Sequence, residues 1–185
     1  MTDTHQKLLY AYIMLEQAKQ NSNVYHIFIA NLDAFVTEAR SVTYIMQSEF
    51  NSINGFKEWY IIKQEEMKND SDFDFFNNLR VDTTHVRPFN AVSKYTTSFP
   101  EGMTISAGKT VDVPLGKMDD RGNLVIDNKS PVSINGKPAT NIKRSTTRKY
   151  LFTDRPNEDV VTLCETYFQK LQELVTECHD KFEFS

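Results

Sequence analysis

At 185 residues, with 39% hydrophobic and 25% charged side chains, the chain is long enough to bury one core and has the make-up of an ordinary globular domain. Its longest uncharged apolar run, around "YAYIML", is far too short to span a bilayer, and "MTDTHQK" lacks the basic start and apolar stretch of a secretory signal, so no membrane partner and a cytoplasmic address are expected. The net charge of −4 is unevenly spread: His85 to Lys149 carries eleven Lys or Arg against five Asp or Glu, and the remainder ten against twenty. That asymmetry reads either as a solvated, loop-rich surface or as a sign of an anionic partner for the middle segment, such as a nucleic acid.

The first predicted helix runs from about Asp3 to Gln20, with Leu8, Tyr12, Leu15 and Ala18 on one face. "NSN" (Asn21 to Asn23) breaks it with capping residues. From Val24 to Phe50, the residues Phe28, Leu32, Phe35, Ala39, Val42 and Met46 alternate steps of four and three, the seam of a long buried helix face. "NSING" ends that helix. A third helix follows in "FKEWYIIKQEEMKND", where Trp59 and Tyr60 read as core and rim.

A shorter fourth helix begins at Ser71, whose hydroxyl is expected to cap it, with Asp72 and Asp74 near the positive end of the dipole. It should fray near Arg80 to Asp82. "DSDFD" has the alternating look of a calcium loop but lacks the glycine and the distal glutamate such a loop needs.

From Pro88 the texture changes, with five of the six prolines and five of the six glycines falling between Pro88 and Pro138. Apolar residues now alternate in "TVDVPL", "LVID" and "VSING", separated by the turn signals "DDRGN" and "NGK". A small antiparallel meander from about Met103 to Phe152 is expected, with "NGK" as a type I′ turn and "RKYLF" as the last strand. "GMTISAGKT" fails as a phosphate loop. Five residues rather than four separate Gly102 from Gly108, and a strand-like stretch follows where a helix is required.

The chain closes on a second long seam: Val160, Cys164, Tyr167, Leu171, Leu174, Cys178 and Phe182. Cys164 and Cys178 would lie roughly 21 Å apart on one helix, too far for a disulfide. The four histidines form no ligand-spaced cluster with them, so neither a metal nor a cofactor is expected. The expected fold is therefore mainly α within the α+β class. It is a four- to five-helix bundle (residues 1–87 and 156–185) with a small antiparallel β-rich insertion (88–155) before the last helix. Two long seams and many aromatics suggest a homodimer.

Two clusters carry chemistry. "NIKRSTTRK" places Lys143, Arg144, Arg148 and Lys149 within nine residues without an acid, a candidate nucleic-acid contact. On a strand, Lys143 and Lys149 would point to one face and Arg144 and Arg148 to the other. "LRVDTTH" closes the helical third of the chain with Arg80 and His85 five positions apart. With "EARSVTYIMQSEF" and "FKEWYIIKQ" before it, "FFNNLRVDTTH" resembles the HEPN superfamily over roughly residues 5–86.

That resemblance implies a metal-independent endoribonuclease acting at a dimer interface. His85 would be general acid or base, Arg80 would hold the phosphate, and Asp82 would support either. RNA and a cognate antitoxin or other protein are the implied partners. The residue after the arginine is Val81, where active members carry a polar side chain, often Asn. Five residues turn an ideal helix by about 500°, so this chemistry requires the helix to end between Arg80 and His85. The alternative is a non-catalytic helical dimer that binds nucleic acid or protein, and a third reading has Arg80 merely paired with an acidic neighbour.

Overall fold

The structure, a computed structural model, describes residues 2–85, 89, 91–100, 111–121, 123–139 and 142–182. It is mixed α+β. The order is α1 (Asp3–Gln20), α2 (Tyr25–Phe50), α3 (Phe56–Asn69), α4 (Ser71–His85), β1 (Val92–Ser98), β2 (Val111–Asp112), β3 (Gly116–Met118), β4 (Leu124–Ile126), β5 (Val132–Ile134), β6 (Lys137–Ala139), β7 (Ser145–Phe152), β8 (Arg155–Asp159) and α5 (Val160–Phe182). The chain divides into two compact units, Met1–Ala91 with Phe152–Ser185, and Val92–Leu151. By sequence, the first carries twenty acidic and eleven basic residues and the second five and ten.

In the helical unit, α1 begins where the Thr2 hydroxyl accepts the His5 N–H, and its buried stripe is Thr4, Leu8, Ala11, Leu15 and Ala18. Tyr12, expected on that face, is 46% exposed. The repeat 4-3-4-3 selects Ala11 and turns Tyr12 outward, because a further residue adds about 100°. The expected seam of α2 is fully buried throughout. It lies along α1 and meets α5 where the Phe35 ring stands edge-on to Tyr167 at 6.4 Å and Phe50 to His179 at 4.9 Å. All seven seam residues of α5 are buried, including both cysteines, and burial pushes the Cys178 thiol up to about 12.

The fourth helix departs from expectation at both ends. Its cap is the Asp70 carboxylate, which accepts the N–H groups of Asp72 (2.9 Å) and Phe73 (3.1 Å). Ser71 is already helical. Asp72 is held by Arg155 (2.7 Å) and Lys170 (2.8 Å), and Lys170 also reaches Asp70 (2.6 Å). The acidic run is thus a latch onto the residues flanking and forming α5. Asp159 opens α5, accepting from Val161 N–H at 3.0 Å.

The β unit is built from short antiparallel pairs. β1 runs against β7, β2–β5–β6 form a second sheet, and β3 pairs with β4. The strand β1 lies before the meander expected from Met103, and "GMTISAGKT" falls outside the described residues. The β5–β6 turn has Asn135 at φ +50° and Gly136 at φ +73°, the pair of left-handed residues a type I′ turn demands. At Gly116 (φ +156°) a Cβ would meet the Val125 carbonyl oxygen at 1.9 Å, so no side chain fits there.

Candidate functional site

The Arg80–His85 stretch stays helical through His85. The two threonines do not break it, because the Thr83 hydroxyl bonds back to the Arg80 carbonyl at 3.3 Å and satisfies it within the turn. On an unbroken helix Arg80 and His85 stand about 140° apart around the axis. Arg80 is half-buried and His85 exposed, and the helix end that the Arg/His chemistry requires between them is absent. Asp82 is three residues from His85 and about 60° around, so it shares a face with His85 and not with Arg80.

The four cations of "NIKRSTTRK" separate. Lys143 and Lys149 are exposed, whereas Arg144 is 9% exposed and Arg148 half-buried. Arg144 donates through one Nη to the carbonyl oxygens of Pro114 and of Asp127 (2.7 Å), tying two loops to the start of β7. Arg148 donates to the Leu124 carbonyl (2.8 Å) and the Tyr150 hydroxyl (2.9 Å), with its guanidinium 5.1 Å from the Tyr95 ring centre. Both arginines act as internal cross-links of the β unit.

The outer face of the β1–β7 pair has a different character. The register sets Lys94 directly across from Lys149, Thr96 from Thr147 and Ser98 from Ser145, and all six residues are exposed. The opposite face holds Tyr95 across from Arg148 and Thr97 across from Thr146, with the two threonine hydroxyls 2.9 Å apart. Directly opposed side chains have Cβ atoms about 5 Å apart, so two like charges there repel unless an anion lies between them. Among the described residues no carboxylate pairs with either lysine. The result is a strip of two ammonium groups and four hydroxyls; the Thr147 hydroxyl already donates to the Thr96 carbonyl (3.5 Å), and the other groups are able to donate to phosphate oxygens.

Sequence reasoning found Lys149 and missed Lys94. The signal was present in "VSKYTTS", where Lys94, Thr96 and Ser98 alternate along one face, but its pairing with "STTRKYL" depends on register over fifty residues.

A family model for bacteriophage lambda protein ea47 matches residues 3–182. The chain belongs to that family. One family thus spans the helices and the strands alike, and it replaces the resemblance to HEPN proteins suggested by Arg80 and His85. The spacing of Arg80 and His85 lies on an unbroken α4, which sets them on different sides of one helix. No curated protein and no solved structure matches the ea47-family chain. Among the described residues no helix is long and apolar enough to cross a membrane, and no three His, Cys, Asp or Glu side chains are grouped to hold a metal ion.

Proposed function

We propose that the chain is a non-catalytic nucleic-acid-binding protein of the cytoplasm, a helical bundle carrying a β-rich insertion that grips the phosphate backbone. The observation that carries this reading is the Lys94–Lys149 pair, opposed across β1 and β7 and continued by Thr96, Thr147, Ser98 and Ser145. Hydroxyl and ammonium donors hold phosphates without reading bases, so the contact is insensitive to sequence. The surplus of basic residues in this unit supports it, and the acidic helical unit keeps the rest of the surface from competing. Arg144 and Arg148 serve the site by fixing the sheet. Lys143, exposed just before β7, extends the strip.

A second copy of the chain is the partner we assign to the outward face of α1. There Leu9 and Tyr10 (both 42% exposed) and Ile13 (36%) sit among uncharged Gln6 and Gln17. Light scattering at high micromolar concentration is expected to give twice the chain mass, and a monomer there would remove the dimer from the proposal.

Fluorescence anisotropy with a labelled single-stranded oligonucleotide tests the main reading. Replacing Lys94 and Lys149 together with alanine is expected to weaken binding by at least tenfold with circular dichroism unchanged, and the RNA is expected to remain uncut. Equal binding by the double variant would overturn it.

A further inference from the structure

The helical unit contains a cleft of about 390 Å³ between α2, α3, α4 and α5, which shares no residue with the β1–β7 strip. Its volume suits a small organic molecule. Arg40 enters it from α2, with Nε donating to Asn77 Oδ1 (3.0 Å), Nη1 to the Thr43 hydroxyl (2.6 Å) and Nη2 to the Tyr44 hydroxyl (3.2 Å). All three partners are neutral, and among the described residues no carboxylate makes an ion pair with Arg40. A guanidinium has five N–H donors, so two are left over. The central carbon of its guanidinium lies 4.4 Å from the centre of the Tyr44 ring.

A second observation points to the same space. Tyr167 lines the cleft, is 2% exposed, and its hydroxyl has no hydrogen-bond partner among the described residues. Its oxygen is not sealed away among the buried unpartnered polar atoms but opens into the cleft, at a position where phenylalanine would pack as well. The ring itself is well placed, stacked on Phe76 at 4.3 Å. Tyr60 also lines the cleft, and its oxygen accepts from Gln47 Nε2 at 2.8 Å. Burial pushes the phenols of Tyr60 and Tyr167 up, so each keeps its proton at neutral pH and remains a donor.

The chemistry of an occupant follows from this inventory. A guanidinium without a carboxylate partner and three phenols line one cleft, and such a set of donors calls for an oxyanion. Phe73 and the tyrosine rings supply flat apolar walls, which calls for a planar body beside that group. Lys68 and Asp74 also line the cleft and offset each other, so the net charge is that of Arg40 and a monoanionic carboxylate matches it better than a phosphate dianion. We propose that this cleft is a binding site for a small organic monocarboxylate with a flat apolar body, held by Arg40 and the hydroxyl groups of Tyr44, Tyr60 and Tyr167. The site is independent of the nucleic-acid face and stands if that face fails.

Ligand-observed NMR on the full chain tests this with benzoate, its neutral isostere benzamide, and inorganic phosphate. Benzoate is expected to bind saturably in the millimolar range usual for so small a ligand, with benzamide and phosphate about tenfold weaker or worse. Tyr167→Phe is expected to lose about tenfold in benzoate affinity while melting no lower than the parent, because it removes a hydroxyl the fold does not use. Arg40→Gln is expected to abolish the preference for benzoate over benzamide. Should Arg40→Gln misfold, Tyr167→Phe decides alone. Absence of benzoate binding, equal affinity for benzamide, parent-like affinity in Tyr167→Phe, or a lowered melting temperature in that variant would each overturn the proposal.

Discussion

In the middle of the helical unit Phe76 and Tyr167 lie face to face at 4.3 Å with Phe35 edge-on to both, all almost without exposure. The β unit has Val132 and Tyr150 as buried apolar residues and, beside them, Asn123, Arg144 and Thr146. One interior is held by apolar area and the other by hydrogen bonds from two arginines to backbone carbonyls. The difference follows from length and pattern. A segment of Val92–Leu151 made of strands of two to eight residues cannot bury enough apolar surface to rely on it, and a polar cross-link fixes the loops instead. It also explains why Arg144 and Arg148 turn inward while the other described cations of the segment stay exposed.

The largest expected effect lies in the helical unit. Phe35→Ala removes a ring that is fully buried against Phe76 and Tyr167, and a loss of about 3–5 kcal/mol is expected in the chemical denaturation of the helical signal. A loss below about 1 kcal/mol would mean that this interior is not packed as described. Arg144→Ala should act on the other unit. It leaves the Pro114 and Asp127 carbonyls without their donor, and about 2 kcal/mol is expected, visible as collapse of β-unit amide dispersion while the helical circular dichroism is unchanged. If Arg144→Ala leaves the β-unit spectrum intact, the contrast between the two interiors fails.

The helical unit was legible in the sequence because its information is local. A period of four and three across Val24 to Phe50 or Val160 to Phe182 names the buried face without knowledge of any partner. Tyr12 was misassigned because α1 has a small residue, Ala11, where a larger apolar side chain would have marked the stripe. The β unit was legible in its turns, as at Asn135–Gly136, and in the alternation that sends Arg144 and Lys149 to opposite faces. The site itself was half legible. Lys149 stands in a visible cluster, whereas its neighbour Lys94 is fifty-five positions away and meets it only through strand register. The spacing of Arg80 and His85 alone could not say whether the helix ends between them, and α4 runs through both.

Acid sharpens the same contrast with a smaller effect. Burial pushes the carboxyls of Asp70 and Asp72 up, but Lys170 on both, with the Phe73 N–H on Asp70 and Arg155 on Asp72, outweighs it and holds them below the usual carboxylate range. A carboxylate lowered in the folded state stabilises it above the unfolded value of about 4, and that contribution fades as pH falls through the folded value. The helical unit is therefore expected to lose melting temperature below about pH 4, and Asp72→Asn is expected to flatten that dependence. A pH profile identical in parent and variant would show that the latch carries no stability.

The smallest effect on stability is expected at the surface strip, where replacing Lys94 or Lys149 relieves repulsion and changes folding by only a few tenths of a kcal/mol. Its effect on binding should be the opposite in size. The most direct measurement is the salt dependence of nucleic-acid affinity for the parent and for the Lys94→Ala, Lys149→Ala double variant. If both lysines meet phosphates, affinity falls steeply with salt in the parent, and the double variant shows a shallower logarithmic slope by about 1.4 on a single strand. Parallel slopes for the two proteins, or a salt-independent parent, would contradict the assignment of this face to a nucleic-acid backbone.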